Sequence, residues 1–211
     1  MRVDRPAPGE ELNTDGEVSI PRPAATVIVL RGGRDSLEVL MVKRNPELAF
    51  MGGCWVFPGG AVDADEGVGE EALRAAAVRE LAEEAAIVGV DPAELVQFSR
   101  WITPRQVKRR FDAHFFLAPV PPGAEPRPDG RECIDIGWFT PSGALELYIA
   151  DELPMAFPTI KHLEQLARFA SATELLEYAR DRPVVPIEPR IDVGGGEKAR
   201  IILPGEPGYD D

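Results

Sequence analysis

Residues 79–84 read Arg-Glu-Leu-Ala-Glu-Glu and lie within the stretch Glu70-Glu-Ala-Leu-Arg-Ala-Ala-Ala-Val-Arg-Glu-Leu-Ala-Glu-Glu-Ala-Ala-Ile87. Alanine and other strong helix formers dominate this stretch, which predicts one long helix from about Glu70 to Ala86. Glu80, Glu83 and Glu84 have the spacing i, i+3, i+4, which puts three carboxylates on one face of the helix.

These three carboxylates do not lie opposite the apolar side of the predicted helix. With Leu73 set at zero and about 100° per residue, Glu84 falls near roughly 20°, Glu80 near 340° and Glu83 near 280°. The acids therefore share an arc with Leu73 and with small alanines such as Ala77. A solvated acidic face would lie on the other side, although a Glu-rich surface helix stays open as the alternative.

Like charges beside an apolar surface repel one another and lose hydration, so the cluster requires a compensating cation. Arg79 supplies one positive charge at most. Ligands with only oxygen donors suit hard divalent cations, which predicts Mg²⁺ or Mn²⁺ at this helix.

The wider pattern resembles the box of the Nudix hydrolases, Gly-x5-Glu-x7-Arg-Glu-apolar-x-Glu-Glu-x-Gly-apolar. Glu71 stands eight positions before Arg79, and Phe57-Pro58-Gly59-Gly60 lies upstream. Gly60 is eleven positions before Glu71 where the box has six, which we interpret as five extra residues in the loop 61–70. The later glycine of the box is Ala86 here, and alanine is unfavourable if that position has a positive φ.

The resemblance implies a role for each matching residue. The implied metal ligands are Glu80, Glu83, Glu84 and the carbonyl of Gly60. The implied catalytic residues are Glu80, Glu83 and Arg79, with Arg79 orienting the carboxylates and the identity of the base left open. Glu71 is expected to hold Arg79 or to stabilise the start of the helix. The implied reaction is attack of water on phosphorus in a phosphoanhydride, which releases two phosphate-ended products.

An upstream pattern resembles the coenzyme-A-type subgroup of this family. Arg44-Asn45, Gly53 and Phe57–Gly60 fall at similar spacings, whereas Ala49 stands where the subgroup signature has a second arginine. We therefore expect a nucleoside-diphosphate-linked substrate, with coenzyme A or acyl-coenzyme A favoured. ADP-ribose or another nucleotide sugar is the alternative substrate, and a non-catalytic nucleotide-binding regulator is the alternative of another class.

Further side chains are candidates for the substrate site. A basic run spans 105–110 in an acidic chain, and it is either a phosphate-capturing segment or a solvated loop. We take as substrate-binding candidates Arg44, Arg105, Arg110 and Trp101, with packing in the core as the alternative for Trp101. Glu132 is a candidate for an additional carboxylate near the site, whereas His114 is interpreted as structural.

Composition restricts the partners and the compartment. The net charge of −13 disfavours binding to nucleic-acid polymers. No apolar run approaches the roughly 20 residues of a membrane span, and Arg2 and Arg5 are not followed by the apolar run of a secretory signal. The two cysteines, Cys54 and Cys133, do not form a disulfide framework. We expect a cytoplasmic protein that acts on a small nucleotide-like molecule.

The whole chain is expected to form an α/β fold, a Nudix-type α/β/α sandwich with a mixed β-sheet, followed by C-terminal helices and a β-hairpin. Residues 1–23 are predicted to be a flexible lead-in, 24–150 the Nudix core and 151–211 a C-terminal extension of the same domain. Strands are predicted at 25–30, 38–43, 96–102, 112–118 and 134–139, and residues 44–60 are predicted to be irregular. Helices are predicted near 141–149, 158–170 and 171–179. A hairpin within 184–203, around Gly194–Gly196, is a candidate for pairing across a homodimer.

Overall fold

A computed structural model describes residues 11–13, 16–192 and 200–209. Its helices are α1 (Glu70–Ala85), α2 (Pro141–Ile149), α3 (Phe157–Leu166) and α4 (Ala172–Arg180), with a 3₁₀ turn at Pro92–Glu94. Its strands are β1 (Arg22–Arg31), β2 (Glu38–Arg44), β3 (Trp55–Val56), β4 (Gly59–Ala61), β5 (Val96–Ile102), β6 (Phe111–Pro119), β7 (Cys133–Phe139), β8 (Pro186–Ile187), β9 (Arg190–Asp192) and β10 (Arg200–Ile202).

The central sheet is mixed and has the strand order β3-β2-β1-β6-β5-β8. Strand β1 runs parallel to β6 and antiparallel to β2, and β4 and β7 add to β1 and β2. Alternation along β1 separates the two faces of the sheet. Val27 and Val29 pack with α1, and Ile28 and Leu30 pack on the side of α3 and α4. The predicted α/β/α sandwich with a mixed sheet is confirmed.

One prediction about secondary structure was wrong. The segment 44–60, predicted to be irregular, contains the short strands β3 and β4. Their conformation comes from pairing with distant partners, since Trp55 lies opposite Lys43 and Gly60 lies opposite Ala25. Trp55 and Val56 favour extended structure, but two residues carry no alternating period, and the glycines of β4 have low strand propensity. Strand β4 matters most, because it runs beside α1 and joins the Gly-Gly segment to the carboxylate helix.

The segment 11–13 and strand β9 both meet the loop between β5 and β6. Leu12 forms a β-bridge with Val107, and the N–H of Asn13 donates to the carbonyl of Gln106 at 2.7 Å. From the C-terminal side, the Gln106 side chain donates to the carbonyl of Ile191 in β9 at 3.3 Å. Strands β9 and β10 pair antiparallel as expected for a hairpin. The predicted turn at Gly194–Gly196 lies outside the described residues.

Across the described ranges, none of the helices combines the length and the apolar character needed to cross a membrane.

Candidate active site

Glu84 is the most deeply buried carboxylate of α1, with 4% of its surface exposed. Its Oε2 accepts a hydrogen bond from the N–H of Gly59 at 2.9 Å, and its Oε1 lies 3.4 Å from Nη1 of Arg44. Desolvation raises the pKa of Glu84 to about 7, against the opposing effects of the Gly59 N–H and the Arg44 charge. A buried acid with so little compensation fits a site for an additional cation.

Glu80 lies one turn before Glu84 and packs against the Gly-Gly segment. A Cβ atom built on Gly60 would collide with the Glu80 carboxylate, so only glycine allows this approach. Burial raises the pKa of Glu80, the ion pair with Arg79 opposes the shift, and the negative charges of Glu83 and Glu132 add to it. The Gly60–Glu80 contact brings together two of the predicted metal-binding residues.

Glu83 and Glu132 complete the acidic group from the solvent side. Glu83 keeps 59% of its side chain exposed and lies 3.0 Å from Nη1 of Arg79. Glu132 lines the same cleft as the helix carboxylates. Its position agrees with the predicted supporting carboxylate, and its role stays a prediction.

The principal partner of Arg79 is Glu66, which sequence reasoning missed. Nε and Nη2 of Arg79 donate to the two oxygens of Glu66 at 2.9 and 3.2 Å. Nη1 reaches Glu80 at 2.8 Å, and Nη2 donates to the carbonyl of Ala61 at 3.0 Å. Glu71 is exposed at the start of α1, and within the described part of the chain no hydrogen bond or ion pair joins it to Arg79.

The Glu66 contact changes the alignment with the box. Glu66 lies six positions after Gly60, which is the spacing Gly-x5-Glu, whereas Glu71 lies eleven positions after it. The five extra residues therefore fall between Glu66 and Arg79, where α1 begins. Counting forward from Gly60, rather than backward from Arg79, identifies this residue from the sequence.

The predicted strain at Ala86 is present. Ala86 has φ 54° and ψ 25°, the left-handed conformation, and its N–H donates to the carbonyl of Ala82 at 3.1 Å. This arrangement ends α1 in the way that glycine usually ends helices.

A cleft of about 590 Å³ opens beside the carboxylates, between the sheet and the start of α3. Trp101 is 8% exposed and contacts the edge of Phe157, with 6.1 Å between ring centroids. Six aromatic side chains contribute to the apolar part of the lining, namely Phe50, Phe57, Trp101, Phe111, Phe115 and Phe157.

The cleft receives only some of the predicted basic residues. Arg44 lies in it, beside Glu84. Arg110 is buried and donates to Thr103, to Ser19 and to Glu188, and Arg105 lines a separate pocket. These positions give no support to phosphate capture by Arg105 or Arg110. The arginines that do line the cleft are Arg22, Arg44, Arg79 and Arg109.

Histidine is not part of the carboxylate cluster. His114 is half-buried and bonds to the Gln97 side chain at 2.9 Å, as a structural histidine would. His162 of α3 is buried beside the cleft residue Phe115, with 4.1 Å between the centroids of the two tilted rings, and nothing in the sequence distinguished it.

The oxygen donors fit a hard divalent cation. Glu80, Glu83 and Glu84 share one face of α1 beside Gly60, in a space that a Cβ would fill. Among the residues that the structure describes, no three acidic, histidine or cysteine side chains are already grouped as a metal site. In this state Arg79 holds Glu80 and Glu83, and Gly59 and Arg44 hold Glu84.

Comparison with known proteins places the chain in a family. The NUDIX domain model matches residues 20–158. The human acyl-coenzyme A diphosphatase NUDT19 is 32% identical over 96 residues, which cover 44% of this chain and 26% of that protein. The putative nudix hydrolase 7 of Caenorhabditis elegans is 27% identical over 203 residues, covering 78% and 67%.

A solved structure shows the same fold. The NUDIX hydrolase from Alicyclobacillus acidocaldarius superposes with a TM-score of 0.68 at 26% identity, covering 79% of this chain and 100% of that one. The chain spans about a quarter of the human relative's length. The family model, the fold and the carboxylate helix agree, and the chain belongs to the Nudix hydrolase family.

Proposed function

We propose that the chain is a divalent-metal-dependent pyrophosphohydrolase that cleaves a phosphoanhydride bond in a nucleoside-diphosphate-linked substrate. The observation that carries the proposal is the burial of Glu84 and the partial burial of Glu80 beside Gly59–Gly60, at the wall of a cleft large enough for a nucleotide. Buried acids of one helix that face a shared space require a cation, and a pyrophosphate supplies oxygens that bind the same cation.

The reaction breaks one bridging P–O bond and forms one P–O bond to water. When bound, Mg²⁺ or Mn²⁺ neutralises phosphate oxygens and lowers the pKa of water. Glu80, Glu83, Glu84 and the Gly60 carbonyl are the ligands that the chain offers. We propose that a carboxylate oxygen of Glu80 or Glu83 receives the proton of the attacking water. Arg79 fixes the orientation of these two carboxylates through its bonds to both.

The favoured substrate is coenzyme A or acyl-coenzyme A. The support is the partial upstream pattern at Arg44, Gly53 and Phe57–Gly60 and the name of the human relative. The aromatic lining of the cleft also suits an apolar substrate part beside the pyrophosphate. ADP-ribose or another nucleotide sugar is the alternative. We further propose that the protein acts on a small molecule rather than on a nucleic-acid polymer. We also propose that it lies in the cytoplasm and forms a homodimer.

The test is a substrate panel of coenzyme A, acyl-coenzyme A, ADP-ribose and NADH, each with Mg²⁺ and with Mn²⁺, analysed by product mass. We expect two phosphate-ended products, lost by at least about a hundredfold in Glu80→Gln and Glu83→Gln. Glu71→Gln is the matched control, since Glu71 is an exposed glutamate of the same helix. Tight nucleotide binding without turnover under any metal would instead establish the regulator.

A further inference from the structure

We propose that Arg22 and Arg109 form a second anion subsite at the rim of the cleft, which binds a phosphate monoester on the nucleoside part of the substrate. The inference rests on the proposed function, which supplies the class of substrate. It adds a second recognition site whose residues are far in sequence from the carboxylate helix. Such a subsite would make the enzyme prefer nucleotides that carry an additional ribose phosphate over those that lack it.

The first argument is the pairing of the basic residues around the cleft. Arg44 and Arg79 are paired with carboxylates of the site. Outside the cleft lining, Arg105 and Arg110 share Glu188, and Lys108 pairs with Glu11. Within residues 11–13, 16–192 and 200–209, neither Arg22 nor Arg109 has an ion pair, yet both are exposed and line the cleft.

The second argument is their position on one rim. The backbone N–H of Arg22 donates to the carbonyl of Arg110 at 2.9 Å, and Arg22 lies opposite Phe111 in the parallel pairing of β1 and β6. Arg109 is therefore next to the point where β1 enters the sheet. The pairing fixes the two backbones side by side, while both guanidinium groups stay exposed at the cleft.

The third argument connects this rim to the carboxylates. The guanidinium of Arg109 lies 5.8 Å from the ring centroid of Phe50, and the Phe50 ring lies 5.8 Å from that of Phe111. The carbonyl of Phe50 accepts from Nε of Arg44 at 3.3 Å, and Arg44 reaches Glu84. Aromatic surface thus lies between the rim arginine and the acidic group, where a base or ribose would fit.

The charge of the site determines the class of ligand. Five acidic side chains line the cleft, namely Asp63, Glu80, Glu83, Glu84 and Glu132. At the acidic end of the cleft an anion can bind only together with a metal ion. At the rim, Arg22 and Arg109 attract an anion without a metal ion. Guanidinium groups bind phosphate through paired hydrogen bonds, and a phosphate monoester brings up to two negative charges. The chemistry indicates a 2′- or 3′-phosphorylated nucleotide.

Matched substrates test the subsite in turnover. Coenzyme A and dephospho-coenzyme A differ only in the 3′-phosphate, so the ratio of their kcat/KM values isolates it. We expect the wild-type enzyme to favour coenzyme A by about tenfold, and Arg109→Ala and Arg22→Ala to bring the ratio toward one, mainly through KM. Lys108→Ala, in the same loop but outside the cleft lining, should keep the ratio. An equal fall for both substrates, or a wild-type ratio of one, overturns the subsite and leaves the proposed hydrolase intact.

Calorimetry tests the subsite independently of turnover and of metal. Adenosine 3′,5′-bisphosphate, adenosine 2′,5′-bisphosphate and AMP are titrated into the full chain without divalent ions. We expect one bisphosphate to bind about tenfold more tightly than AMP, with the better isomer identifying a coenzyme-A-like or an NADP-like ribose phosphate, and Arg109→Ala to remove the difference. Equal affinities for all three refute the subsite, even if no substrate of the panel is hydrolysed.

Discussion

Glu66 holds Arg79 through two hydrogen bonds, of 2.9 and 3.2 Å, and the same guanidinium also reaches Glu80 and Glu83. The residue that organises the carboxylates is thus itself fixed by an acid outside the helix. Because the ion pair lowers the pKa of Glu66, this acid stays charged at neutral pH. Glu66 therefore competes with Glu80 and Glu83 for the positive charge of Arg79.

We expect Glu66→Gln to weaken Mn²⁺ binding by about tenfold, as loss of a group that orients metal ligands typically does. Without the Glu66 charge, Arg79 turns more completely to Glu80 and Glu83 and competes with the cation. Mn²⁺ titration followed by electron paramagnetic resonance measures the change. Glu71→Gln serves as the control and should bind Mn²⁺ like the wild type. If the two variants gave equal losses, Glu66 would have no special role.

The approach of Gly60 to Glu80 gives a prediction that separates activity from stability. In Gly60→Ala the new methyl group meets the end of a flexible side chain rather than backbone, so the fold should tolerate it. The displaced Glu80 carboxylate should lower kcat by about a hundredfold. Thermal unfolding and steady-state kinetics on the same preparation check both parts. An active Gly60→Ala enzyme would show that the carboxylate position is not critical.

A stabilising substitution is available at the end of α1. Ala86 is exposed and has φ 54°, so Ala86→Gly should increase the free energy of unfolding by about 1 kcal/mol. Ala82→Gly, inside the same helix, is the opposite control and should lower it by about 1 kcal/mol. Urea denaturation monitored by fluorescence measures both. A destabilised Ala86→Gly protein would mean that the left-handed cap is not formed in solution.

Local pattern predicted the parts of the fold that have a strong period. The carboxylate helix and the long strands follow from spacing alone. Strands β3 and β4 were missed because two or three residues carry no period. Their extended form depends on β2 and β1, which lie elsewhere in the sequence.

The candidate site was predictable to the extent that it lies on one helix. The spacing of Glu80, Glu83 and Glu84 gives their common face directly. Which residue of 105–110 enters the cleft depends instead on the turn into β6 and on its register with β1, so Arg109 lines the cleft while its neighbour Arg110 is buried. Which of two adjacent residues lines the cleft is therefore determined by tertiary structure and cannot be predicted from composition.

His162 is a buried titratable group outside the carboxylate cluster from which a pH effect on stability is expected. Its Nδ1 faces the carbonyl of Pro158 at 2.6 Å, and its Nε2 lies 2.5 Å from the Ser99 hydroxyl. The carbonyl can only accept, so Nδ1 carries the proton and Nε2 accepts from Ser99. Burial lowers the pKa of His162 to about 4, against the opposing effect of the Pro158 carbonyl.

Because this pKa is lower than in the unfolded chain, the unfolded state binds more protons between about pH 6.5 and pH 4. The stabilising contribution is complete above pH 6.5 and decreases as the pH falls, by on the order of 2 to 3 kcal/mol at pH 4.5. We expect urea unfolding of His162→Asn to show a weaker loss of stability than the wild type over this range, whatever its stability at pH 7. His114→Gln is the comparison variant: burial also lowers the pKa of this second, only half-buried histidine, so we expect it to change the pH dependence in the same direction but less. Parallel profiles for wild type and His162→Asn would show that folding does not lower the pKa of His162, and would contradict its burial as a neutral ring.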